Sequence, residues 1–167
     1  MTGKSLKKSF DRLQEKLLTE IQSFYGERLV SVVVFGSVAR GAFRLDSDID
    51  VLIIANGLPR GRMMRIEEFS ALEDRLDPFL ASLNKNGIQT RISAILKTPE
   101  EAAKGSPLFL DMVEDARILL DRDQFFARRL RRLRKRLQEL GAKRVWRGNF
   151  WYWVLKPDYK PGEVFEL

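Results

Sequence analysis

Residues 31–54 read SVVVFGSVARGAFRLDSDIDVLII, and the rest of the chain is arranged around them. Ser31 to Phe35 and Val51 to Ile54 are short β-branched runs, apolar enough for strands covered on both faces. Between them come Gly36-Ser37 and, after ten more residues, Asp48-Ile49-Asp50. Gly36 lets the backbone turn sharply off the first strand and leaves room for a ligand to approach. A helix starting at Ser37 would turn free N–H groups and a hydroxyl toward an anion such as a phosphate. Side chains alternate along a strand, so Asp48 and Asp50 share a face, about 7 Å apart at the backbone. Two carboxylates that converge in this way suit a hard divalent cation.

The acidic stretch admits two other readings. Asp46 to Asp50 resembles the start of an EF-hand loop, but Val51 stands where the glycine is needed and Gly57 where the bidentate glutamate belongs. That reading fails. A solvated acidic turn before an ordinary strand remains as the alternative. Against it, the pair lies at the lip of an apolar strand, downstream of a Gly-Ser turn that ends another.

The run Gly36-Ser37-Val38-Ala39-Arg40-Gly41 followed by Ser47-Asp48-Ile49-Asp50 resembles the signature of the DNA polymerase β-like nucleotidyltransferase superfamily, particularly its small stand-alone archaeal and bacterial members. The signature covers Gly36 to Asp50, and a similar layout of elements extends over roughly residues 5–100. The resemblance implies an α/β (α+β) nucleotidyltransferase fold, a mixed sheet flanked by helices on one side. It also implies transfer of a nucleoside monophosphate from an NTP to an acceptor hydroxyl on a protein, an RNA end or a small molecule. Asp48 and Asp50 would then be catalytic and hold Mg²⁺ (or Mn²⁺), Gly36 and Ser37 would hold the β/γ-phosphates, and Arg40 would contact phosphate. ATP is the expected nucleotide.

The chain departs from the family at one point. The resemblance implies a third acid on the next core strand, but Ile88 to Leu96 offers Gln89, Thr90, Arg91 and Ser93 and no carboxylate. Two acids can still anchor one Mg²⁺ together with the nucleotide's own oxygens. The departure supports an alternative, a non-catalytic module of the same fold that binds RNA or a partner protein.

Composition narrows the chemistry further. The chain of 167 residues has no cysteine and no histidine. Disulfides, thiolate metal sites, Ser-His triads and histidine acid–base catalysis are excluded, leaving carboxylates, hydroxyls, Lys and Arg. A net charge of +7 points to polyanionic partners. No run approaches the ~18 apolar residues of a membrane span, and Met1 to Phe10 lacks the apolar core of a secretory signal. No membrane association and a cytoplasmic location are expected.

Outside the central stretch the periodicity predicts helices. Ser5 to Tyr25 has Leu6, Phe10, Leu13, Leu17, Ile21 and Phe24 on one face, with Ser5 as cap and Gly26 as stop. Arg60 to Leu83 places Met63, Ile66, Phe69, Leu72, Leu76 and Phe79 together, with a kink or fresh start at Pro78. Thr98-Pro99-Glu100-Glu101 reads as a capping box. A short helix is expected over 108–114 and a strand or extended link over 116–120. Residues 1–121 are read as the core domain. Residues 122–167 are read as a basic helix, Asp123 to Leu140, and an aromatic extended tail packed on the core or on a second subunit of a homodimer. The helix has a leucine stripe among Arg128, Arg129, Arg131, Arg132, Arg134 and Arg136, and the tail holds Trp146, Trp151, Tyr152 and Trp153. A basic face of this kind is either solvated or a phosphate-contacting surface. The aromatics either stack on bases or pin the tail down.

Overall fold

The computed structural model describes residues 3–148 and 150–167. Its centre is a four-stranded sheet in the order β3-β2-β1-β4, with β1 at Leu29–Phe35, β2 at Ile49–Ala55, β3 at Ile92–Lys97 and β4 at Arg117–Asp121. β1 runs antiparallel to β2 and β4, whereas β2 and β3 are parallel, so the sheet is mixed.

Alternation along β1 and β2 divides the core in two. Val32, Val34, Val51 and Ile53 face one side and meet α1 (Gly3–Tyr25) and α3 (Arg62–Lys85), which supply Phe10, Leu13, Leu17, Leu72 and Leu76. Val33, Leu52 and Ile54 face the other side, toward Ala102 of α4 (Pro99–Ala103), Phe109 and Met112 of α5 (Leu108–Asp115) and Phe126 of α6 (Phe125–Glu139). Helices therefore cover both faces, not one. The reason is visible in β1 and β2, which apart from Ser31 and Asp50 are apolar and need cover on each side. Each such fully buried side chain is worth roughly 1.5–3 kcal/mol of burial.

Several local expectations are corrected. α1 begins at Gly3, so Ser5 lies inside the helix, where its carbonyl accepts from Ser9 Oγ at 3.2 Å. α3 continues through Pro78 as one helix, so no fresh helix starts there. Pro78 is on the exposed face, where the carbonyl it leaves without a helical donor can be hydrated. The first turn of α3 overhangs the core, leaving Met63 75% and Ile66 46% exposed; burial begins at Phe69. β3 starts at Ile92, later than Ile88, although Ile88 itself is buried. α6 begins at Phe125, not Asp123, after a 3₁₀ turn. Asp121 accepts from the N–H groups of Phe126 and Ala127 at 3.0 and 2.9 Å and from Ser31 Oγ at 2.6 Å, tying the helix start to β1.

The capping box at Thr98 and Glu101 forms as expected, and 117–121 is a strand of the main sheet. The aromatic tail is a β-hairpin, β5 (Lys143–Arg147) and β6 (Phe150–Val154), followed by irregular chain. Among the described residues no helix is long and apolar enough to cross a membrane.

Candidate active site

Antiparallel pairing of β1 with β2 places Phe35 opposite Asp50, so the end of the first strand and the start of the second lie side by side. Gly36 follows with φ of +73°, a left-handed conformation, and the chain turns into the single turn of α2 (Gly36–Ala39). A Cβ at Gly36 would lie 3.2 Å from Asp50 Cγ and closer still to Oδ2. Glycine is needed twice over here, for its backbone angle and for the carboxylate pressed against it.

Asp50 is half-buried, and burial is the main cause pushing its pKa above the usual carboxylate range. A hydrogen bond with Ser93 opposes that shift, the nearby charge of Asp48 adds to it, and Arg40 opposes it again. Asp48 is exposed, just outside β2, with Oδ1 accepting from the backbone N–H of Arg91 at 3.1 Å. It also lines a cleft of about 650 Å³ with Asp46, Asp77, Asn84, Gln89 and Arg91. The structure thus brings Gly36, Asp48, Asp50 and Arg40 into one neighbourhood. Ser37 lies half-buried in α2, immediately after Gly36.

On β3, Ser93 pairs with Asp50 in parallel register, and no acid stands at that position. Among the described residues no three Asp, Glu, His or Cys side chains converge on a common point. The donors present still fit a magnesium ion, because two hard carboxylate oxygens with mutually repelling charges are relieved by a divalent cation that takes its remaining ligands from phosphate and water.

A further set of residues at this site carries no motif. Arg40 lies with Cζ 4.4 Å from the centre of the Trp151 ring, and its Nη1 is 3.9 Å from Asp115 Oδ2. Arg144 donates to the same Asp115 oxygen at 2.6 Å and stacks 5.5 Å over Trp151. Trp151 and Trp153 both donate their indole N–H to Asp111 Oδ1, at 2.7 and 3.1 Å. The inner face of the hairpin is therefore bolted to α5 and reaches the Gly36 turn through Arg40. One signal was present in the sequence: Asp111 and Asp115 stand four apart on a helix and so share a face.

A strand–glycine turn–strand unit carrying paired carboxylates at its lip, in a mixed sheet, defines a class. Residues 14–145 match the nucleotidyltransferase domain family, and the chain belongs to it. Among its relatives, a protein of Methanocaldococcus jannaschii provisionally assigned as protein adenylyltransferase MJ1305 is 31% identical over 129 residues, which cover 76% of this chain and 82% of that one. Among solved structures, a toxin–antitoxin complex with AMP-PNP aligns at TM-score 0.47 and 19% identity, covering 75% of this chain and 90% of that one. A nucleotidyltransferase-type protein from Sulfolobus solfataricus aligns at TM-score 0.47 and 18% identity, covering 74% and 91%.

Proposed function

We propose that the protein transfers the nucleoside monophosphate of an NTP to an acceptor hydroxyl and releases pyrophosphate. ATP is the favoured donor and a protein side chain the favoured acceptor. The observation that carries the reading is the Asp50 carboxylate packed against Gly36, with Asp48 near enough for its charge to act on Asp50. The adenylyltransferase assignment of the M. jannaschii relative supports ATP and a protein acceptor.

In this reading Asp48 and Asp50 hold Mg²⁺ (or Mn²⁺), which when bound supplies charge neutralisation on the triphosphate. Gly36 and Ser37 present backbone N–H groups to the β/γ-phosphates, and the bareness of Gly36 keeps the approach open. Arg40, held by Trp151 and Asp115, adds a fixed positive charge beside the acids. The acceptor oxygen bonds to the α-phosphorus as the bond to the pyrophosphate oxygen breaks, and the proton of the acceptor hydroxyl passes to water. Catalysis is positioning and electrostatics rather than covalent chemistry.

A second reading, a non-catalytic module that binds RNA or a partner protein, is favoured by one feature: Ser93 stands beside Asp50 on the strand that the resemblance would furnish with an acid. One experiment separates the two. The protein is incubated with each α-labelled NTP and Mg²⁺, with and without cellular RNA and lysate protein, beside the double variant Asp48→Asn, Asp50→Asn. Label transferred by the wild type and lost in the variant supports the enzyme. Nucleotide binding without any labelled product supports the module.

A further inference from the structure

The cations of α6 stand beside an apolar groove. It has a volume of about 580 Å³, and its apolar lining is Phe109 and Leu110 of α5, Leu130 and Leu133 of α6, and Leu155 and Leu167 of the tail. Lys104, Arg129, Arg132 and Arg136 also line it, and among the described residues no acidic one does. Of these cations, Arg136 has an exposed carboxylate nearby, Glu139 at 3.4 Å, and also donates to the carbonyl of Glu166.

The arrangement along α6 has a direction. Leu130 and Leu133 are three apart and form a short apolar strip, while Arg129, Arg132 and Arg136 recur at three and four residues on the adjoining row. A helix laid along this strip would bury its own apolar residues between α5 and α6 and bring its flank against the arginines. Nucleic acid suits the groove poorly. Phosphates would use the cations but have no use for leucines, and the one aromatic in the lining, Phe109, is only 2% exposed and not available for stacking on a base.

We propose that this groove docks an amphipathic helix of a partner protein, with leucine-like residues at helical spacing on one face and Asp or Glu along its edge. Apolar burial supplies affinity, and the single-sign rim selects acidic over basic helices. The groove shares no residue with Gly36, Asp48 or Asp50, so the inference stands apart from the transfer chemistry.

The test uses the full chain and capped, fluorescein-labelled peptides read by anisotropy. The probe carries leucines at i, i+3, i+4 and i+7 with flanking glutamates. The controls are the same residues shuffled off the helical period, a leucine–lysine peptide of the same period, and a labelled single-stranded RNA. The leucine–glutamate peptide should bind at least about tenfold more tightly than either peptide control. The double variant Arg129→Glu, Arg132→Glu should reverse the preference toward the leucine–lysine peptide, and Leu133→Gln should weaken both with an unchanged circular dichroism spectrum. Should Leu133→Gln unfold, the charge reversal decides alone. Equal binding of the shuffled peptide overturns the proposal. So does tighter binding of RNA that the charge reversal abolishes, or a sedimentation equilibrium in which a second copy of the chain closes the groove.

Discussion

The Gly36 turn and the C-terminal hairpin meet at Arg40, yet they are built in different ways. The turn is held by backbone: a glycine angle, an antiparallel register and a parallel register put Asp50 beside Gly36 and Ser93. The hairpin is held by side chains, through two indoles on Asp111 and two arginines around Asp115. A site fixed by backbone fails when a single backbone angle is disturbed. A support fixed by many side chains weakens by degrees.

The sharpest way to break that contrast is Gly36→Ala. The new methyl group meets the Asp50 carboxylate in a left-handed backbone, so stability should fall by about 1–3 kcal/mol and transfer by at least about a hundredfold. Thermal melts and labelled-nucleotide transfer measure the two losses; a variant with wild-type transfer would show that Asp50 needs no such seat. On the hairpin side, Trp151→Leu keeps apolar volume but removes the ring beneath Arg40 and one donor to Asp111. The KM for nucleotide should rise about three- to tenfold, in line with a cation–π contact of about 1 kcal/mol, with kcat changed less. A fall in kcat alone would place Arg40 in the chemistry rather than in binding.

Two acids sharpen the comparison through pH. Glu101 receives a two-pronged contact from Arg65, at 2.7 and 2.9 Å, and its pKa is held down to about 2. Its contribution is complete above the ordinary glutamate range and disappears as pH falls toward 2. Because the carboxylate is partly exposed, Glu101→Gln should cost only about 1 kcal/mol at neutral pH, and the gap to wild type should close as the melts are taken from pH 5 to about pH 2. Asp50 has the opposite sign. Its pKa is raised, so its ionisation opposes folding as pH rises through that raised value. Asp50→Asn in metal-free protein should therefore leave the melting temperature at neutral pH unchanged or higher, while abolishing transfer.

The smallest effect is expected at the start of α6, where Asp123 and Gln124 hold left-handed angles of 51° and 52° without being glycine. Asp123→Gly should stabilise by a few tenths of a kcal/mol, offset in part by the flexibility it adds to the unfolded chain. Denaturant midpoints would resolve it.

The amino-acid sequence by itself determined the strand–turn–strand unit, the acid pair, the core helices and the Thr98 capping box. These depend on periodicity, glycine and short-range hydrogen bonding, which are local properties of the chain. It also showed the lack of a carboxylate between Ile88 and Leu96, but not that Ser93 is the residue set beside Asp50. Tertiary structure alone decided which helices cover each face of the sheet, that Met63 and Ile66 lie outside the core, and that α3 passes through Pro78. It alone brought Arg40, Asp111, Asp115, Arg144 and Trp151 together, residues separated by up to 111 positions in the chain. No local pattern encodes which side chain crosses such a gap, because the choice is made by the packing of whole elements against one another.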